Sequence, residues 1–242
     1  MTAAEVIWHD VECGAYSADL PLWRALAAEA SGPLLELGAG TGRVALALAA
    51  EGHDVTALDV DSGLLDELRR RAAKRDLRVR CLSHDACRLG LAAGSYALVL
   101  APMQLLQVVG GPGARAELLA GVRAVLAPGG RFAAALASAE EATAPEDASP
   151  PLPDVAEHGG WLYSSLPLDV RADPGGIAVE RLRQVVSPSG RLTDERHTEL
   201  LNALAPAELE AEAHACGLVP ESRFEIAATG DHVGSTVVAF RS

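Results

Sequence analysis

The first 138 residues alternate between short apolar runs that favour strands and longer runs that favour helices. The strand-like runs are PLLELG, DVTALD, LRVRCL, YALVLA and GRFAAALAS. Most of them are separated by segments such as GRVALALAAEG and SGLLDELRRRAAKR, in which apolar residues recur at helical spacing. Strands that alternate with helices pair in parallel through right-handed crossovers. The sequence therefore predicts an α/β protein with a doubly wound, mostly parallel sheet.

The pattern changes after residue 138. The stretch AEEATAPEDASPPLPDVAEHGG, residues 139–160, is rich in proline, alanine and acidic residues and predicts an exposed connection. The runs WLYSSLPLDVRA and GIAVERLRQVVSPSGRLTDERHTELLN alternate apolar with charged residues, as antiparallel strands do, and SPSG suits a hairpin turn. We predict a single domain, residues 1–242, in which residues 139–204 form a linker and an antiparallel β insertion.

Composition narrows the classes of partner. The 242 residues are 49% hydrophobic, enough for one sizeable core, and the formal net charge of −13 argues against nucleic acid as a partner. The basic run LRRRAAKRDLRVR is interpreted as the solvated face of a helix. No uncharged apolar run reaches the roughly 18 residues of a membrane helix. The four cysteines are scattered, so we expect reduced thiols, a cytoplasmic protein and no metal site.

A glycine-rich turn lies in LLELGAGTGRVALALAA, residues 34–50, where the first strand ends. In an open parallel sheet ligands bind at this edge, and glycine lets backbone N–H groups approach them closely. A phosphate-binding P-loop would need a lysine directly after its last glycine, and no lysine stands in this turn. A dinucleotide fingerprint would need its third glycine at position 43, which is Arg43. An NAD-dependent oxidoreductase is therefore the less favoured alternative.

Two acidic residues refine the type of ligand. Glu36, just before the turn, suits a ligand with an ammonium group better than a pyrophosphate. Asp59 follows Gly38 by 21 positions (59 − 38) and could accept hydrogen bonds from both hydroxyls of a ribose. The alternative for Asp59 is a strand-end or helix-capping carboxylate, although Asp61 is the more natural cap. Together the two acids favour an amino-acid nucleoside.

The acid and glycine pattern of residues 36–42, followed by SHDAC, YALVLAPMQLLQ and VLAPGGRF in this order, resembles the class I S-adenosylmethionine-dependent methyltransferases. The resemblance extends over residues 16–138 and 205–240. It implies a Rossmann-like, seven-stranded sheet, S-adenosylmethionine as cofactor with S-adenosylhomocysteine as product, and a small-molecule acceptor such as a natural-product intermediate. Residues 16–31 would cover the cofactor. The cofactor-binding positions that it implies are Tyr16, Glu36, Gly38, Ala39, Gly40, Thr41, Gly42, Arg43, Asp59, Val60, Leu64, Asp85, Ala86 and Met103.

The acceptor side is predicted from fewer signals. A sulfonium is already activated, so the protein has to align the acceptor and exclude water, and a general base is optional. Gln104 and Gln107 are predicted to share one helix face and to orient a polar acceptor, with a helix face that binds no ligand as the alternative. Trp161 and Arg183 of the insertion either line the acceptor pocket or belong to a homodimer surface. His232, in GDHVGS, is the candidate base, with an exposed loop histidine as the alternative.

Three interpretations therefore compete with methyl transfer. The chain could bind S-adenosylmethionine without catalysis, or use the same scaffold for another reaction such as cyclisation or elimination. It could also be the less favoured oxidoreductase. Arg181 and Arg183, on one face of a predicted strand, suit an anionic acceptor or a plain solvated face. The expected partners are a small-molecule acceptor and a second copy of the chain, with neither nucleic acid nor membrane.

Overall fold

The computed structural model describes residues 3–137, 152–228 and 234–242. Its helices and strands follow one another in the order α1 (Ala3–Cys13), α2 (Leu20–Glu29), β1 (Leu34–Leu37), α3 (Arg43–Ala50), β2 (Val55–Asp59), α4 (Ser62–Lys74), β3 (Val79–Ser83), β4 (Tyr96–Ala101), α5 (Leu105–Val108), α6 (Pro112–Val125), β5 (Leu126–Ala137), β6 (Asp154–His158), β7 (Trp161–Asp173), β8 (Gly176–Val186), β9 (Leu192–Asn202), α7 (Pro206–Ala215), β10 (Val219–Ile226) and β11 (Ser235–Arg241). A short 3₁₀ turn, Ala86–Arg88, follows β3.

The large sheet has seven strands in the order β10-β11-β5-β4-β1-β2-β3. Strands β1 to β5 pair in parallel, and β11 is antiparallel to both of its neighbours. The strand order reverses between β1 and β4, so their carboxyl ends open the crevice where such sheets bind ligands. The predicted α/β class with a seven-stranded, mostly parallel sheet is confirmed.

The small sheet is antiparallel, with the order β6-β7-β8-β9. The hairpin turn predicted at SPSG joins β8 to β9, as expected. Residues 154–158, predicted to belong to an exposed connection, instead form the edge strand β6, which pairs with β7. An edge strand has an exposed side that needs no apolar residues, so β6 can be rich in acidic residues and histidine. Its sequence therefore lacks the apolar pattern by which strands are predicted.

Two hydrophobic clusters cover the faces of the large sheet. One contains Phe132 and Phe240, whose rings stack with centroids 5.8 Å apart. The other surrounds the fully buried Trp23 of α2. Because every residue of β1 and β2 is buried between these clusters, the carboxyl ends of the central strands are held rigidly.

The helix ends and charges agree with the local sequence at several positions. Asp61 caps α4 by accepting from the N–H groups of Gly63 and Leu64, as predicted. Arg69 and Arg70 of the basic run pair with acidic residues of their own helix, as in a solvated helix face. Within the described ranges, no helix is long and apolar enough to span a bilayer.

Candidate active site

The turn after β1 depends on glycine. Gly38, Gly40 and Gly42 have φ angles of 65°, 54° and 92°, which residues with a Cβ rarely adopt. The N–H of Gly40 donates to Oδ2 of Asp59 at 2.8 Å. A Cβ on Gly40 would lie 2.3 Å from Nε2 of His9. Glycine at this position therefore lets α1 close over the turn.

Asp59 closes the turn from the end of β2. Its Oδ2 accepts from Gly40, and its Oδ1 accepts from the N–H of Asp61 at 2.9 Å. A carboxylate offers about four acceptor positions, so both oxygens can still accept from a hydroxyl group. Val60, the next residue, is 77% exposed and presents an apolar side chain beside this carboxylate. Asp59 therefore suits the hydroxyl groups of a sugar, and Val60 suits the apolar face of a flat ring.

Glu36 of β1 is an unusual group beneath the turn. It is 3% exposed, and among the described residues its Oε2 has no hydrogen-bond partner. Burial raises the pKa of Glu36 to about 8, although the charge of Arg43 acts in the opposite direction. A buried polar oxygen without a partner is costly, and a cationic donor would supply the missing hydrogen bond and stabilise the ionised carboxylate that burial disfavours. This carboxylate fits a ligand that carries an ammonium group.

Arg43 holds the segment 16–23 against the turn. Its two terminal nitrogens donate to the two carboxylate oxygens of Asp19 at 2.5 and 2.7 Å, and its guanidinium lies 5.0 Å from the centre of the Tyr16 ring. Oδ2 of Asp19 also accepts from the indole N–H of Trp23 at 2.7 Å. Asp19 directly precedes α2 but its side chain makes no capping bond, because Arg43 and Trp23 occupy its carboxylate. Arg43 thus acts as a brace between the turn and the N-terminal segment.

Asp85 and Ala86 follow β3 at the same edge of the sheet. Oδ1 of Asp85 accepts from the N–H of Cys87 at 2.8 Å and caps the 3₁₀ turn. Ala86 is buried. The resemblance places both residues among the cofactor-binding positions, and this role stays a prediction. Two further predicted cofactor positions lie nearby: Ala39 in the glycine turn and Leu64 in the first turn of α4.

Helix α1 covers the glycine turn, a contact that the sequence analysis missed. Thr41 donates its hydroxyl to Asp10 at 2.8 Å, and Arg71 of α4 donates to Asp10 and, at 3.2 Å, to the Thr41 hydroxyl. Burial disfavours the ionised form of Asp10, but hydrogen bonds from His9, Arg71 and Thr41 lower its pKa to about 2. The ion pair is therefore fully formed at neutral pH and holds α1 on the turn.

A cavity of about 200 Å³ lies between the carboxyl edge of the large sheet and the small sheet. Met103 and Gln104, directly after β4, line it on the side of the large sheet. Met103 has a φ of 56°, a left-handed conformation that is uncommon outside glycine. The small sheet contributes an apolar wall, which includes Val170, Ile177, Val179 and Leu201. The cavity can therefore enclose a small molecule with an apolar body.

Most charged side chains at this cavity have a partner. Glu12 of α1 accepts two hydrogen bonds from Arg183, both of 2.7 Å, and one from the Ser165 hydroxyl at 2.8 Å. Burial disfavours ionised Glu12, but these bonds lower its pKa. Arg181 donates to the Ser165 hydroxyl at 2.8 Å and also binds Asp154. Glu199 lines the cavity and, within the described part of the chain, forms neither a hydrogen bond nor an ion pair.

The structure separates the two glutamines that were predicted to share a helix face. Gln104 lines the cavity, whereas Gln107 is 1% exposed and turns towards Ala137 and Asn202. The reason is that α5 begins only at Leu105, so Gln104 lies outside the helix and helical spacing does not relate the two side chains. The predicted acceptor contact of Gln107 is therefore corrected: it binds the chain itself.

The other predicted acceptor residues also lie away from the cavity. Arg183 is occupied by Glu12, and its guanidinium lies 5.2 Å from the centre of the Trp8 ring. Trp161 is 43% exposed beside the turn between β6 and β7 and does not line the cavity. The partners of Arg183 belong to α1, so the sequence of its own strand does not reveal them. His232 lies outside the described residues.

Glu12, Asp19 and Glu199 contribute to the site without a clear signal in the sequence. Each is an ordinary acidic residue in its local context, and the partners of the first two come from distant segments. A weak signal existed for Glu12, because Trp8 and Glu12 are four residues apart in α1 and therefore share a face. Across the described residues, no three His, Cys, Asp or Glu side chains are grouped to hold a metal ion.

The family model and the curated relative that this chain matches are both described as methyltransferases. Residues 34–130 match the family described as "Methyltransferase domain". A demethylmenaquinone methyltransferase from Clavibacter sepedonicus is 39% identical over 116 residues, which cover 46% of this chain and 45% of that protein. The chain thus spans less than half the length of this curated relative.

Solved structures resemble the whole chain. The CcbJ methyltransferase from Streptomyces caelestis is 24% identical with a TM-score of 0.69, over 95% of this chain and 97% of that one. S-adenosylmethionine-bound CalS10, an amino pentose methyltransferase from Micromonospora echinaspora involved in calicheamicin biosynthesis, is 20% identical with a TM-score of 0.69, over 100% and 98% of the two chains. At these identities the likenesses establish a shared fold that includes the small sheet's part of the chain.

Proposed function

We propose that this chain, whose residues 34–130 match the methyltransferase domain family, transfers the methyl group of S-adenosylmethionine to a small-molecule acceptor and releases S-adenosylhomocysteine. The observation that carries the proposal is the buried Oε2 of Glu36, which has no hydrogen-bond partner among the described residues, at the same sheet edge as Asp59 and the cavity beside Met103. Glu36 fits the ammonium of the cofactor, Asp59 fits its ribose, and the cavity gives room for an acceptor. The names of the related proteins support the same activity.

The residues of the chain have binding and shielding roles in this proposal. S-adenosylmethionine, when bound, supplies a methyl group already activated by its sulfonium. The protein must orient the acceptor and keep water away from it. Helix α1, held by Asp10, and the segment braced by Arg43 shield the glycine turn from solvent. The amide of Gln104 is available to orient a polar acceptor, and His232 stays the candidate general base.

The charges around the cavity favour an acceptor with a positively charged group. Arg181 is neutralised by Asp154, and Glu12 and Asp19 each bind an arginine. Among the described residues, the arginines beside the cavity are therefore compensated and offer no free cation to an anionic acceptor. Glu199 is an exposed carboxylate that lines the cavity beside the apolar wall, and its negative charge favours a cationic group on a ligand bound there. We therefore propose an amine as acceptor, and the amino pentose methyltransferase among the structural relatives supports this choice.

Labelled S-adenosylmethionine tests the activity and the acceptor class together. Cyclohexylamine, cyclohexanol and cyclohexanecarboxylate present three groups on one apolar body, and we expect labelled product from the amine alone. Glu199→Gln should lower kcat/KM for the amine about ten-fold, on the scale of a lost charge-assisted hydrogen bond. Glu195→Gln, on the same strand but outside the cavity lining, is the matched control and should behave as wild type. Transfer to the carboxylate instead would contradict the amine assignment.

Calorimetry separates the competing functions. We expect S-adenosylhomocysteine to bind and reduced nicotinamide dinucleotide not to bind. Cofactor binding without methyl transfer to the three compounds or to any extracted metabolite would favour a binding module or another reaction on this scaffold. Binding of the nicotinamide cofactor would favour the oxidoreductase.

We also propose a setting for the enzyme. The net charge of −13 and the four free cysteines support a cytoplasmic protein that acts on free small molecules rather than on nucleic acid. The exposed Trp161 and Leu162 of the small sheet support a homodimer. Sedimentation of the wild type and of Trp161→Ser would test this: a concentration-dependent dimer that the variant weakens is expected, and a monomer at all concentrations would contradict it.

A further inference from the structure

Gln107 joins three parts of the chain that are far apart in sequence. Its Oε1 accepts from the N–H of Ala137 at 2.8 Å, and its Nε2 donates to the carbonyls of Ala137 at 3.2 Å and Asn202 at 3.4 Å. Asn202 completes the set, because its Nδ2 donates to the backbone carbonyl of Gln107 at 2.6 Å. One buried amide and one neighbouring amide therefore make four hydrogen bonds, which we call the Gln107 clamp.

The clamp lies where the two sheets meet. Ala137 is the last residue of β5, after which the chain leads to the small sheet, and Asn202 is the last residue of β9, from which it returns. The backbone is tightly packed at Gly176, the first residue of β8, where a Cβ would lie 1.8 Å from the carbonyl oxygen of Leu201. Beside it, Gln107, Ala137 and Gly176 also line a second cavity, of about 370 Å³. The end of β9 is thus fixed to the segment that follows β4 and, through the same amide, to the end of β5.

The acceptor wall is built directly on this junction. Ala137, Ile177 and Leu201 form a buried cluster, and all three line the cavity. Leu201 is adjacent to Asn202 and pairs with Ile177 across the strands. Gln104, on the other side of the cavity, lies three residues before Gln107. The width of the cavity therefore depends on how the clamp holds β8 and β9 relative to the end of β4.

We propose that Gln107 is a positioning residue for the acceptor, which sets the distance between the apolar wall and the end of β4 without touching the acceptor. The acceptor part of this statement rests on the proposed function. The chemistry of the position is demanding, since it needs one acceptor and two donors in a buried place, which an amide supplies. Methionine has the shape but neither group, and an ionised glutamate has no donor.

Three variants test the clamp. Gln107→Met removes its side-chain bonds at nearly constant volume, Gln107→Glu keeps the acceptor, and Asn202→Ala removes one bond in case the first variant does not fold. Arg115→Met is the control, because it breaks the ion pair with Glu212 between α6 and α7 and does not line the cavity. Two kinds of measurement are needed: hydrogen exchange of the free and S-adenosylhomocysteine-bound protein, and kinetics with cyclohexylamine.

We expect amides of β7 to β9 to exchange at least about ten-fold faster in Gln107→Met, with β1, β2 and β4 unchanged. The KM for the amine should rise about ten-fold, while the affinity for S-adenosylhomocysteine and the KM for S-adenosylmethionine stay within about two-fold of wild type. In Gln107→Glu, the exchange of β7 to β9 and the KM for the amine should return towards the wild-type values as the pH falls. The reason is that a protonated carboxyl again offers a donor and an acceptor.

The opposite results would overturn the proposal. They are unchanged exchange of β7 to β9 in all three clamp variants, a pattern identical to that of Arg115→Met, or an equal rise in KM for amine and cofactor. If the wild type binds the cofactor but transfers no methyl group, the proposed function fails separately, and the exchange pattern alone decides whether the clamp fixes the small sheet.

Discussion

The two sheets of this protein are held in place in different ways. In the large sheet the functional carboxylates Glu36 and Asp59 belong to strands that are buried along their whole length. In the small sheet most of β9 is exposed, and its neighbour β8 is tied to α1 by the pair of Glu12 with Arg183, 171 positions apart. The cofactor side is therefore encoded within short stretches of sequence, whereas the acceptor side depends on contacts between distant segments.

The largest effect should come from the junction between the sheets. Gly176→Ala would place its Cβ against backbone, in a φ of +156° that L side chains rarely adopt, at a cost on the order of 3 kcal/mol. We expect a lower midpoint of urea unfolding and fast hydrogen exchange in β7 to β9. Gly190→Ala is the control: it lies at the exposed hairpin tip, where an added Cβ would have no described atom beyond its chain neighbours within 4 Å, and it should cost only about 1 kcal/mol. Equal losses in both variants would argue that the junction is not tight.

Removal of Asp59 should affect the cofactor side alone. Asp59→Ala loses the carboxylate that faces the glycine turn, and we expect a loss of cofactor affinity on the order of 1.5–3 kcal/mol, the range for charged hydrogen bonds. Calorimetry with S-adenosylhomocysteine measures this loss. Asp61→Ala, which removes a helix cap, should lower stability but leave affinity nearly unchanged. Unchanged affinity in Asp59→Ala would contradict the ribose assignment.

The buried carboxyl of Glu36 should make stability depend on pH. Its pKa is about 8 in the folded chain and near 4.5 when unfolded, so the folded state holds a proton that the unfolded state has lost between these values. Stability from this group is therefore complete below about pH 4.5 and falls towards pH 8, by at most about 1.4 kcal/mol per pH unit. Urea unfolding from pH 5.5 to 7.5 should show a shallower fall in Glu36→Gln, and parallel curves would contradict this.

Loss of the contact between α1 and the small sheet should have a moderate effect on the acceptor side. Arg183→Met leaves Glu12 with fewer donors, and because both side chains are partly exposed we expect a loss of roughly 1–2 kcal/mol in stability. The KM for the amine should rise while the affinity for S-adenosylhomocysteine stays near that of wild type. A loss of cofactor affinity as large as that of Asp59→Ala would break the contrast between the two sides.

The smallest effect should come from a surface ion pair of the large-sheet region. Arg24 pairs with Glu51 at 2.6 Å, and both side chains are largely solvated. We expect Arg24→Ala to change the free energy of unfolding by no more than about 0.5 kcal/mol. A larger change, measured by the same urea titration, would mean that charge pairs on this surface contribute more than their exposure indicates.

Features that depend on neighbouring residues could be predicted from the sequence, whereas features that depend on distant segments could not. The strands β1, β2 and β4 and the cap at Asp61 could be predicted, because apolar runs and capping residues act within a few positions. The orientation of Gln107 could not, since α5 has one turn and helical spacing does not apply across its start. Strand β6 was hidden in an acidic stretch, and the position of α1 depends on arginines from α4 and β8.

The Gln107 clamp has a consequence for protein engineering. The hydrogen bonds of this junction involve none of the side chains of the cavity wall formed by the small sheet. That wall includes Val170, Val179 and Glu199. A library that varies the wall while keeping Gln107, Asn202 and Gly176 should therefore change which amines are accepted and spare cofactor binding. The wall residues can therefore be varied independently of the junction that positions them, and variants that accept other amines could be selected from such a library.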